Sequence, residues 1–148
     1  MRSALLLLAL SGCLDPLEPE VGPPLHARCD GADSDPDVDV SFEQDIRDAI
    51  IDGEEYHCTR CHTAGGETPI GLEVGGLDLS TYSTLRAGGN ISGDQIVVPG
   101  DACASILVQK LSEAPPFGSR MPLDGPPFLD DEDMELIVDW IAEGAGDD

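Results

Sequence analysis

Apolar residues return every four positions at Phe42, Ile46 and Ile50, behind a Ser41–Gln44 pair that fits a capping box. The pattern predicts an amphipathic helix of about three turns, ending near Asp52-Gly53. A second helix is expected where Ser80 precedes Tyr82, Leu85 and Ala87 and stops at Gly88-Gly89. Pro99-Gly100-Asp101 reads as a turn into a third, whose faces are Ala102, Ile106 and Lys110, or Ile106, Leu107 and Leu111. The last spans about 130–143. Acids crowd its first turn, where the helix dipole favours them, and Met134, Ile137, Val138, Trp140 and Ile141 form its stripe up to Gly144.

The stretches between helices are as distinct. Residues 63–79 carry Gly65, Gly66, Gly71, Gly75 and Gly76, and 114–129 carry five prolines including Pro122. A phosphate-cradling loop would want a preceding strand and a Lys-Ser/Thr ending, and neither is present. At the N-terminus, Met1-Arg2 and the run Ala4 to Leu10 form a secretion signal, too short for a permanent bilayer span. The run ends in Leu10-Ser11-Gly12-Cys13, which looks like a bacterial lipobox, with Cys13 as the lipidated residue. Residues 14–40 read as an acidic, proline-broken tether reaching about 30 Å as a flexible chain. The aspartates at 30, 33, 35, 37 and 39 lack the turn glycine and closing glutamate of a calcium loop. Order is expected from Ser41.

Charge narrows the partners. Thirty acidic against 7 basic side chains give a formal net charge of -23 over 148 residues. Losing residues 1–12 removes Arg2 and no acid, which leaves 30 acids against 6 bases and -24. Such a surface excludes nucleic acid, which needs clustered Lys and Arg, and favours partners with a basic docking surface. Aromatic residues are only 4% of the chain, a thin supply for a core of this size, and a buried apolar cofactor would make up the deficit.

The chemistry centres on Cys58-Thr59-Arg60-Cys61-His62. Two thiols two residues apart, followed by histidine, are the attachment pattern for c-type haem. The thiols add to the two vinyl groups of one porphyrin, and His62 is placed beneath the ring as the proximal iron ligand. A zinc site would need a second ligand pair, which Cys29, Cys103, His26 and His57 do not supply. A redox dithiol would want a βαβ setting that the pattern lacks. The carbonyl of Pro69 is a candidate acceptor for the second imidazole nitrogen of His62. For the distal ligand, Met121 in Arg120-Met121-Pro122 stands first, because a helix-free loop can lay a thioether across the distal face. Met134 belongs to a helix stripe, His57 abuts Cys58, and an exchangeable site or His26 remain as alternatives. Cys29 and Cys103 are left over, and an oxidising compartment suggests that they pair. That long loop would stabilise the fold by about 4 kcal/mol in the chain-entropy model.

Taken together, these residues resemble a class I cytochrome c-like domain of a bacterial lipoprotein. The resemblance spans 41–146 and rests on the Cys-x-x-Cys-His motif and 76–82. It rests also on Pro99-Gly100-Asp101 with 105–108, on Met121-Pro122, and on Trp140-Ile141 before Gly144-Ala145. It implies one covalent haem c on Cys58 and Cys61, with His62 and Met121 as axial ligands. It also implies a small all-α fold whose first and last helices cross beside the haem. The reading is therefore a signal peptide at 1–12, a lipidated cysteine and tether at 13–40, and a haem domain at 41–146. The expected role is a membrane-tethered electron carrier between redox proteins of the cell envelope, not an enzyme in its own right. It would face the periplasm, with Leu14 leaning towards the outer over the inner membrane. The rival readings are a haem enzyme or gas sensor with an exchangeable distal site, and a non-redox envelope binding module.

Overall fold

The computed structural model describes residues 29–148, so the signal sequence, Cys13 and His26 lie outside the described residues. Among the described residues the fold is all-α, without strands. Its helices are α1 (Phe42–Ile51), α2 (Cys58–His62), α3 (Ile70–Glu73), α4 (Tyr82–Ala87), α5 (Ile106–Leu111) and α6 (Asp131–Ala142), with a 3₁₀ turn at Gly93–Ile96.

The four-residue repeat of α1 buries Phe42, Ile46 and Ile50 as expected, with Ile51 beside them. The helix is wound as a π-helix, however, and its end is closed by Asp52 N–H donating to the Arg47 carbonyl at 2.8 Å. The wider turn changes the cap. Ser41 Oγ accepts from Gln44 N–H, but the reciprocal bond runs from Ser41 N–H to Asp45 Oδ2, not to Gln44. On α6, the Asp130 carboxylate accepts from Asp133 N–H at 2.9 Å, and Ile137, Trp140 and Ile141 are buried. The two helices pack through Phe42 and Trp140, whose ring centroids lie 5.2 Å apart. Tyr82 of α4 meets Phe42 edge-on at 5.1 Å, which ties α4 to the same aromatic centre.

Three expectations change in detail. The cap of α4 is Thr81 and not Ser80: Thr81 and Thr84 exchange side-chain-to-backbone bonds at 3.1 Å, while Ser80 turns to Asp78. The helix after Pro99 begins only at Ile106, because Ser105 is buried and knots the preceding turn. Its hydroxyl accepts from Val98 N–H and donates to the Asp101 carbonyl. The glycine-rich stretch contains the single turn α3, which the glycines concealed.

Residues 29–40, expected as extended tether, instead lie on the domain. Cys29 and Cys103 are joined by a disulfide, with their α-carbons 5.6 Å apart. Ser34 donates from both its N–H and its hydroxyl to Asp139 of α6, at 2.9 and 2.6 Å. Val40 is buried, and its N–H donates to Glu143 at 2.8 Å. The carboxylates of Asp139 on α6 and of Glu143 just past its end thus receive the segment, and the two bonds from Ser34 satisfy the buried Asp139.

Candidate functional site

α2 is barely more than one helical turn, and its residues are the whole Cys-x-x-Cys-His motif. The i, i+3 relation sets Cys58 and Cys61 on one face, and His62 follows immediately. His57 occupies the N-cap in the left-handed region, φ 53°, and so bends the chain sharply between Tyr56 and the motif. Both thiols are free and half-buried. Burial pushes the Cys58 thiol up to about 11, which favours the protonated thiol. Among the described residues no group of three or more His, Cys, Asp or Glu side chains gathers as a metal site.

His62 is fixed from two directions. Its Nδ1 lies 3.0 Å from the Leu77 carbonyl. A carbonyl only accepts, so Nδ1 carries the proton and Nε2 keeps a lone pair. Leu77, fifteen residues on, therefore takes the part expected of Pro69. Pro69 instead caps α3, its carbonyl accepting from Glu73 N–H. The second restraint is Gly71 of α3. A Cβ there would stand 2.5–2.7 Å from three atoms of the His62 ring, so bare backbone lies against the imidazole. Burial also holds the imidazole below its ordinary 6.5, favouring the neutral, ligating form.

These residues open onto a cavity of about 380 Å³, within the roughly 300–1,000 Å³ typical of small-molecule and cofactor sites. Its walls are almost wholly apolar. Ile46, Ile50 and Ile51 come from α1, Leu85 from α4, Ile106, Leu107 and Leu111 from α5, and Ile137 from α6. Met121 lines the same cavity, so the structure brings Cys58, Cys61, His62 and Met121 together. Cys29 and Cys103 are at the disulfide, and neither lines this cavity. Tyr56 lines it too, buried and donating its hydroxyl to Asp133 at 2.6 Å. This phenol and carboxylate tie the approach to α2 onto the first turn of α6, a role the sequence reading missed.

The Met121 segment has no regular structure and is held by long side chains. Lys110 Nζ donates to the carbonyls of Phe117 and Ser119, and Arg120 Nε donates to the Leu111 carbonyl at 2.8 Å. Arg60, inside the motif, pairs with Asp124, three residues past Met121. The residues suit a flat apolar macrocycle: two thiols on one helical face, a neutral imidazole held for ligation, a thioether and a dry wall.

Residues 58–124 match the family model described as Planctomycete cytochrome C. The matched stretch is cytochrome c-like. It begins at Cys58, contains all four residues named above, and ends at the partner of Arg60. No curated protein and no solved structure matches the chain. A cytochrome c-like region implies covalently bound haem c and haem-based electron transfer, and suggests an electron carrier more than an enzyme.

Proposed function

We propose that the protein is a membrane-tethered, monohaem c-type cytochrome that passes single electrons between redox proteins of the cell envelope. The observation that carries this reading is the meeting of Cys58, Cys61, His62 and Met121 on one apolar cavity. Cys58 and Cys61 would hold one haem through thioether bonds, with His62 and Met121 as its proximal and distal ligands. Bound there, a haem would supply the ferric–ferrous couple, and ligation by a methionine would raise its potential. The chain's part is to present a neutral imidazole, through the Leu77 carbonyl and the Gly71 backbone, and to keep water from the iron with isoleucine and leucine walls.

The net charge of -23 suits partners with basic docking surfaces. Lipid on Cys13 would anchor the protein at the membrane facing the periplasm, and Leu14 favours the outer membrane. Reduced-minus-oxidised spectra of the protein made with cytochrome c maturation factors test the redox reading. Reversible one-electron cycling with a six-coordinate, low-spin spectrum is expected. A five-coordinate spectrum that binds carbon monoxide avidly would replace the carrier by a haem enzyme or gas sensor. Cell fractionation tests the anchor: Cys13→Ala should release the protein from membranes, and an unchanged distribution would remove the lipid from the account.

A further inference from the structure

The distal segment raises a question that the ligand assignment leaves open. Residues 112–130 contain no helix or strand, so no ladder of backbone bonds fixes Met121 over the cavity. Its backbone anchor is a single bond, Met121 N–H donating to the Lys110 carbonyl at 2.8 Å. The same lysine reaches along the segment with its side chain. Its ammonium donates to the carbonyl of Phe117 at 2.8 Å and to that of Ser119, and sits 4.9 Å from the centre of the Phe117 ring. Gly118 lies between these two carbonyls with φ +57°, and its α-carbon faces the ammonium at a distance that a Cβ would reduce to 3.5 Å. The turn is therefore wrapped around a cation. Lys110 meanwhile lines the cavity beside Leu107 and Leu111.

We propose that Lys110 is a positioning residue for Met121: its ammonium organises the 117–119 turn and its carbonyl fixes the methionine backbone, so that the thioether stays over the cavity. This rests on the reading of Met121 as distal ligand. Charged donors to carbonyls are the stronger class of hydrogen bond, and here two of them close the turn two residues before the methionine. Without them, Met121 keeps its one backbone bond and the neighbouring Arg120–Leu111 bond but loses the closed turn before it, and exogenous ligands compete with it more easily.

The test compares the matured holoprotein with Lys110→Met, Gly118→Ala and Met121→Ala. Lys110→Met keeps a long apolar side chain and the backbone carbonyl that bonds Met121, but removes the ammonium donors. Gly118→Ala keeps the lysine and strains the turn that receives it. The readouts are the far-red methionine–iron charge-transfer band and the affinity of the ferric protein for cyanide, with helicity by circular dichroism as control. Lys110→Met should keep covalent haem and helicity, weaken the band, and bind cyanide about tenfold more tightly, towards the behaviour of Met121→Ala. If it matches the wild type in band and affinity, the positioning role is wrong while the ligand reading stands. If the wild type itself lacks the band, the ligand reading falls and takes the inference with it. Should Lys110→Met fail to accumulate folded, Gly118→Ala decides by the same two outcomes.

Discussion

The two sides of the cavity are built by opposite means. On the side of α2, the groups that touch the His62 ring come from nearby chain: the motif, the Gly71 backbone and the Leu77 carbonyl. On the other side, Met121 sits in an irregular segment held by Lys110 and Arg120 and joined to the motif by Arg60–Asp124. The first side is specified by backbone approach to the imidazole, the second by long charged side chains that reach backbone carbonyls of an irregular segment, with Arg60–Asp124 joining the two across 64 positions. Residues 29–40 are likewise held from afar, bonded to Asp139 of α6 and to Glu143 just past it across more than a hundred residues, and tied by the Cys29–Cys103 disulfide to the turn before α5. A site built this way should resist perturbation on one side and yield on the other.

The largest effect on stability is expected from Cys29→Ser/Cys103→Ser. The bridge closes a separation of 74 residues, and its loss should cost about 2–4 kcal/mol in denaturant unfolding. The haem spectrum should not move, because the strap touches neither face of the cavity. A spectral change would break the contrast drawn here.

Gly71→Ala strikes the local side. The added methyl must displace the His62 ring, which cannot swing freely while Nδ1 is bonded to Leu77. Overpacking should cost about 1–3 kcal/mol and disturb the low-spin spectrum. An unchanged spectrum would mean that the imidazole is not held as described.

Asp124→Asn cuts the pair that links the two sides. Both side chains are substantially exposed, so solvent screens the pair and the stability change should be at most about 1 kcal/mol. A larger loss would show that the two sides are more strongly coupled than the contrast allows.

The smallest effect concerns pH. Burial raises the Glu143 carboxyl while its bond from Val40 N–H opposes the shift, and neighbouring Asp33, Asp39 and Asp139 reinforce it. A carboxyl raised on folding binds its proton more readily in the folded chain. Its stabilising contribution is therefore full below the ordinary glutamate value and fades as pH rises through the folded value. Glu143→Gln should thus gain slightly on the wild type in thermal midpoint as pH rises from 4 to 7, and a constant difference would contradict the shift.

How much of this was legible in the sequence follows from the same contrast. The motif at 58–62 and the stripes of α1 and α6 repeat at short spacing, and each was readable as chemistry or as a face. The π-winding of α1 was not, because a four-residue apolar repeat suits either winding. Met121 could be picked out by its place before Pro122 in a helix-free stretch. What holds it could not, because the acceptors are backbone carbonyls, which leave no mark in the sequence. Pro69 was preferred to Leu77 for the same reason: the choice between two carbonyls is made by the turn α3, which glycines hid. The docking of 29–40 depends on Ser34 finding Asp139 across 105 positions, and no local pattern announces that.

The central claim is that Cys58 and Cys61 hold one haem covalently. The direct measurement is a pyridine-haemochrome assay of the matured protein, with haem staining after denaturing electrophoresis, beside Cys58→Ala/Cys61→Ala. One haem c per chain, retained through denaturation and lost in the double variant, is the predicted result. A wild-type chain that emerges from maturation without covalent haem would contradict the account.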